Sequence, residues 1–203
     1  MNQEGDNRYY DNLRQGYFRD ITQNTGLITS NTPGAVATGD YNNDGSVDLF
    51  ISDLAGNDHV LYYNLGDGTF ELDSLWKDVI KGIRKIYGSD VAFFDADNDG
   101  FLDLLIAGDT EDELGQETGL RLLYNNGFGS FLDASYLLPN NLGSIYQVEV
   151  ADYDNDGDMD FFAATSRAPD EQQRSWRQLG RHRQVGGYLR RSFHKLHLPA
   201  PRP

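Results

Sequence analysis

Hydrophobic and polar positions along this chain alternate in short blocks. Apolar runs such as Val91-Ala92-Phe93-Phe94 and Leu104-Leu105-Ile106 are too brief for helices, and each adjoins a turn rich in Asp, Asn or Gly. That pattern predicts strand-turn-strand units. The units repeat. Val36 to Ile51, Val91 to Ile106 and Val148 to Ala163 align on the acidic stretches that begin at Asp40, Asp95 and Asp152, whose first acids are 55 and then 57 residues apart.

A second element interleaves with these. Leu61-Tyr62-Tyr63-Asn64-Leu65-Gly66-Asp67-Gly68-Thr69-Phe70 is echoed by Leu122 to Phe131, and a degenerate copy runs from Tyr10 to Phe18, with Arg14 and Gln15 replacing the first Gly and the variable residue. Together the two elements predict about four strands per repeat. Residues 109–118, with five acids, read as a longer surface loop inserted in the second repeat.

The acidic loops carry the candidate chemistry. Oxygen-bearing side chains at alternate positions, followed by a Gly that permits a sharp bend, let a short loop wrap a hard cation. By analogy with calcium loops, positions 1, 3 and 5 offer side chains, position 7 a backbone carbonyl, and position 9 closes the site. In the first loop these are Asp40, Asn42, Asp44, Ser46 and Asp48; in the second Asp95, Asp97, Asp99, Phe101 and Asp103; in the third Asp152, Asp154, Asp156, Asp158 and Asp160. Without a cation the carboxylates repel one another, and a divalent ion reverses that sign. A flexible loop with a backbone carbonyl suits Ca²⁺ better than Mg²⁺, while zinc or copper would favour His or Cys, and none is near. One such loop would serve equally well as an ordinary acidic turn. Three in register point to metal, about three calcium sites in all.

A helix-loop-helix calcium site needs flanking helices and a Glu at position 12. That position is Ile51, Ile106 or Ala163, in strand-like surroundings.

These motifs resemble the FG-GAP or VCBS-type repeats of β-propellers, as in integrin α-subunit heads and many bacterial surface proteins, over residues 8 to 166. The resemblance implies an all-β fold of four-stranded antiparallel blades in a partial propeller. The expected layout is a partial blade over about 8–34, repeats over 35–87 and 88–144, a partial repeat over 145–166, and a basic non-repeat tail over 167–203 that reads as disordered or out of frame. With two whole repeats and partial ones, where closed propellers have at least four blades, the chain reads as a fragment of a longer propeller or as one member of an assembly that completes the ring. The function implied is a non-enzymatic, calcium-binding module for extracellular adhesion or ligand binding, with a protein or glycan as its unidentified ligand. The alternative is a lectin-like, glycan-binding propeller or the accessory propeller of a secreted hydrolase.

Charge narrows the partners. The formal net charge is −15, and residues 1–166 hold 8 of the 17 Lys and Arg but 30 of the 32 Asp and Glu. Such an acidic body disfavours nucleic acid and favours cations or basic surfaces. Gly is abundant at 22 residues, as tight turns require, and cysteine is absent. No apolar run approaches the roughly 20 residues that span a bilayer. Residues 1–6 lack the basic start and apolar stretch of a signal peptide. An extracellular, cell-surface or periplasmic setting is expected instead from calcium affinity, because loops of this kind bind on the order of 0.1 to 1 mM in extracellular modules.

For catalysis the sequence offers little. His59 stands in a polar loop beside Asn57 and Asp58 and reads as a surface residue, and the other three histidines fall in the tail. No nucleophile elbow, phosphate loop or zinc-ligand His pair occurs. Tyr62, Tyr63, Phe70, Tyr124 and Phe131 recur at strand positions and read as core.

Overall fold

The computed structural model describes residues 8–27, 32–56, 59–82, 85–109, 119–139 and 142–165. The expectations for residues 110–118 and for the tail lie outside them. Among the described residues, twelve strands form four antiparallel sheets: a pair, β1 (Tyr10–Asn12) and β2 (Phe18–Asp20); a first full sheet of β3 (Pro33–Gly39), β4 (Asp48–Asp53), β5 (Val60–Asn64) and β6 (Phe70–Leu72); a second of β7 (Tyr87–Phe94), β8 (Asp103–Asp109), β9 (Leu120–Asn125) and β10 (Phe131–Asp133); and a second pair, β11 (Ile145–Ala151) and β12 (Asp160–Thr165). Each full sheet is a four-strand meander in chain order. This is the all-β, partial propeller-like architecture expected, and none of the described sheets closes on itself.

Strand alternation explains how the sheets stack. Successive side chains of β8 point to opposite faces. Leu104 and Ile106 join Phe50, Leu61, Trp76 and Phe131 between the two full sheets, whereas Leu105 and Ala107 join Phe94, Leu120, Ile145 and Val148 between the second full sheet and the terminal pair. All four β8 residues are fully buried. Burying each Leu or Ile side chain is worth about 1.5–3 kcal/mol. Tyr62, Phe70 and Phe131 are core residues as expected, and Tyr63 and Tyr124 are half-buried.

The first strands of successive sheets lie against one another. A Cβ on Gly34 of β3 would stand 2.0 Å from the Gly88 carbonyl oxygen of β7, so backbone meets backbone there, and the Ser52 hydroxyl donates to the same oxygen at 2.9 Å. Ser89 on β7 donates to the Ile145 carbonyl of β11 at 2.8 Å, continuing the series.

Two features depart from the sequence reading. A helix, α1 (Trp76–Gly82), links the full sheets. The Asp73 carboxylate caps the turn before it by accepting from the Leu75 N–H, and the apolar pair Trp76 and Val79, three residues apart, both pack into the core between the sheets. His59 is a core residue and not a surface one: its Nδ1 accepts from the Asp53 N–H at 2.9 Å, which leaves Nε2 to carry the proton donated to the Ile86 carbonyl at 3.1 Å. Its neutral form therefore pins the link between the two full sheets. Among the described residues no helix is long and apolar enough to cross a membrane.

Candidate metal centres

Each acidic loop connects the first two strands of its sheet, and all three share one local design. The position-1 carboxylate accepts from the backbone N–H groups of positions 5 and 6: Asp40 from Asp44 and Gly45 at 3.0 and 2.9 Å, Asp95 from Asp99 and Gly100 at 3.1 Å each, Asp152 from Asp156 and Gly157 at 3.1 Å each. The position-5 carboxylate accepts from the position-7 N–H at 2.8 to 3.0 Å. Asn43, Asn98 and Asn155 at position 4 adopt φ of 57 to 61°, and the Gly two residues later 88 to 95°. Asn tolerates that left-handed backbone better than most residues, and Gly adopts it freely.

This backbone brings carboxylates together. In the second loop Asp95, Asp97 and Asp99 each place a ligand oxygen within 4.8 Å of the others, and Asp152, Asp154 and Asp156 do so in the third. Burial, then repulsion from Asp99, pushes the Asp97 carboxyl above its ordinary range, and Asp154 is raised by burial and by Asp156. The first loop has Asn42 at position 3, whose Nδ2 donates to Asp44 at 2.9 Å, leaving two carboxylates where the others have three.

Ser46, Phe101 and Asp158 at position 7 each donate the backbone N–H to the position-5 carboxylate. The position-9 carboxylates fall outside the three-oxygen groups but still feel them: beyond the effect of burial, Asp97 and Asp99 raise Asp103, Asp44 and Asp40 raise Asp48, and Asp160 raises Asp154. Asp48 and Asp103 are fully buried at the start of β4 and β8. Asp103 accepts from the Ala96 N–H through Oδ2 and from the Asn125 N–H through Oδ1, both at 2.8 Å; Asp48 accepts likewise from Tyr41 at 3.2 Å and Asn64 at 2.8 Å. Burial raises the Asp48 carboxyl to about 6 and that of Asp103 to about 7, against the pull of those N–H groups. Asp160 accepts from the Tyr153 N–H at 3.1 Å through Oδ2.

Sequence reasoning missed two links. The Asn of each Gly-rich turn clamps the acidic loop's exit: besides its N–H, the Asn64 amide donates to the Val47 carbonyl and that of Asn125 to the Leu102 carbonyl and, across to the preceding sheet, the Tyr41 carbonyl. Position 4 ties neighbouring loops together. Asn43 donates to the Gly100 carbonyl at 3.2 Å, and Asn98 to the Asp158 carboxylate at 2.7 Å. The recurrence of Asn at position 4 in every loop was the available signal.

Antiparallel sheets, three of them with an acidic hairpin loop between their first two strands, mark a repeat protein with a β-propeller-like fold. The FG-GAP-like repeat profile matches residues 1–51, 40–106 and 95–163, and the chain belongs to that family. Comparison with curated proteins returned no match.

Proposed function

We propose that the chain is a non-enzymatic FG-GAP repeat module whose acidic loops bind calcium, and that it works outside the cell or in the periplasm as an adhesion or ligand-binding unit. The observation that carries this reading is the convergence of three carboxylates in each of the second and third loops. Oxygen-only donors on a bent, flexible loop suit a hard cation with a variable coordination number. Asp95, Asp97 and Asp99 would hold one ion, Asp152, Asp154 and Asp156 another, and Asp40, Asn42 and Asp44 a third, weaker one. The ion would be structural, cancelling repulsion that otherwise opens each loop. Sites with the affinity of extracellular calcium modules, on the order of 0.1 to 1 mM, would fill outside cells and stay empty in cytosol, which favours an extracellular setting.

Calorimetric titration of calcium into chelator-treated protein, followed by thermal unfolding, tests this. Two strong sites, a weaker third and a higher melting temperature are expected, with Asp97→Ala removing one strong site. Heat signals that Asp97→Ala leaves unchanged would defeat the assignment.

A further inference from the structure

The first acidic loop leans on the second full sheet through alternate residues. Gly39, Tyr41 and Asn43 touch that sheet, and the candidate ligands Asp40, Asn42 and Asp44 fall between them. A Cβ on Gly39 would stand 2.7 Å from Leu102 Cδ1, so the strand end lies directly on that side chain. The Tyr41 carbonyl accepts from Asn125 Nδ2 at 2.7 Å, and the buried Tyr41 ring stacks on Phe93 at 6.4 Å and tilts on Phe131 at 5.9 Å. Asn43 Nδ2 donates to the Gly100 carbonyl at 3.2 Å.

Two of these contacts are with the second acidic loop itself. Gly100 and Leu102 are its positions 6 and 8, on either side of Phe101, whose carbonyl is a candidate ligand. Asn125 joins the two loops through one amide. Its Nδ2 donates to the Leu102 carbonyl at 3.1 Å as well as to that of Tyr41, while its Oδ1 accepts from the Gly127 N–H at 3.0 Å and its own N–H donates to Asp103 at 2.8 Å. A shift in the exit of the second loop therefore reaches the backbone between Asp40 and Asn42. The two loops are also unequal: the second gathers three carboxylates, and the first has Asn42 in place of one.

We propose that calcium fills these loops in order and that the ion of the second loop raises the affinity of the first, with Asn125 and Asn43 as the positioning residues that transmit the effect. This rests on the calcium reading of the loops given above. An ion at Asp95, Asp97 and Asp99 fixes the backbone from Asp95 to Phe101, and with it Gly100 and Leu102, on which the first loop leans. Asp40, Asn42 and Asp44 are then held in one arrangement before their own ion arrives, so binding there loses less conformational freedom. Coupling between two sites is reciprocal. The second loop, richer in carboxylates, fills while the first is still empty, so the gain is seen only at the first.

Charge alone predicts the opposite sign. Three carboxylates with a divalent ion leave the second loop at −1, and two without an ion, as in Asp97→Ala, leave it at −2. By Coulomb attraction that variant would bind a cation more tightly in the first loop. Ordered filling requires that it bind less tightly.

Calorimetric titration of calcium into the chelator-treated full chain reads the sign. The first loop's site is the one that Asp44→Ala abolishes, and that variant should leave the second loop's Kd unchanged. Asp97→Ala should abolish the second site and weaken the first by about 5-fold or more, the lower end of couplings between sites. Asn43→Gly keeps the positive φ of 57° without strain. It should weaken the first site in the otherwise native chain and have no further effect when combined with Asp97→Ala, whereas a purely local role for Asn43 weakens that site equally in both backgrounds. Should Asp97→Ala fail to fold, Asp97→Asn takes its place, since it gives the second loop the residue that the first holds at position 3. A first-loop affinity unchanged or raised by loss of the second ion overturns ordered filling and leaves the calcium reading intact. Absence of calcium uptake by the wild type overturns both.

Discussion

The second and third acidic loops are nearly identical inside and differ in what surrounds them. Both gather three carboxylates and share the same bonds from position 1 to the backbone of positions 5 and 6. Around the second, β9 and β10 complete the sheet: Leu104, Leu105 and Ile106 are fully buried and Asp103 is held by two N–H groups. Around the third, Phe161, Phe162 and Ala163 are half-buried and Asp160 is held by one among the described residues. Loop geometry is thus a local property, written by Asn and Gly at left-handed positions, whereas burial and the anchoring of position 9 come from the neighbouring hairpin.

The largest expected effect tests burial. Leu105 is enclosed by Phe94, Leu120 and Val148, and Leu105→Ala should cost about 2–5 kcal/mol by denaturant unfolding. Phe162 is its equivalent on β12, and in dilute protein Phe162→Ala should cost about half as much despite the larger ring, because part of that ring already meets water. Equal costs would break the comparison.

Next comes the anchor. In Asp103 both carboxylate oxygens accept from backbone N–H groups, and Asn at that place sets an NH₂ against one of them. Asp103→Asn should therefore cost about 1–3 kcal/mol, as for a buried group left unsatisfied. At Asp160 an amide can turn its oxygen to the Tyr153 N–H and its NH₂ away. Asp160→Asn should be close to neutral, as thermal melts of the two variants can show.

The sequence made the loops and the strand count legible because both are local: Asp and Asn at alternate positions, Gly at the bend, apolar runs of strand length. It hid what depends on distant partners. The spacing of Asp48 and Asp103 fits a calcium loop, and their burial, which the spacing does not show, arises only once β5 and β9 bring Asn64 and Asn125 alongside. His59 read as exposed from its polar neighbours Asn57 and Asp58, although its ring spans Asp53 and Ile86, 6 residues behind it and 27 ahead. Helix α1 is a short run whose apolar Trp76 and Val79 gain their meaning from the gap between two sheets.

The smallest effect asks whether the two loops communicate at all. Asn98 and Asn155 share the same backbone, at φ of 61° and 60°, but only the first has a side-chain bond among the described residues, to Asp158 in the third loop. Replacing either with Gly preserves the left-handed backbone, because Gly reaches positive φ without strain. The substitution therefore removes the side chain and little else. Asn98→Gly should cost about 0.5–1 kcal/mol, the net worth of one hydrogen bond at most, and Asn155→Gly less. Calcium titration separates local from transmitted effects: if the bond positions Asp158, Asn98→Gly weakens the site built on Asp152, Asp154 and Asp156 while its own loop's site is unchanged. Weakening confined to the second loop would mean that the loops bind as independent units and that the Asn98 bond is only a surface contact.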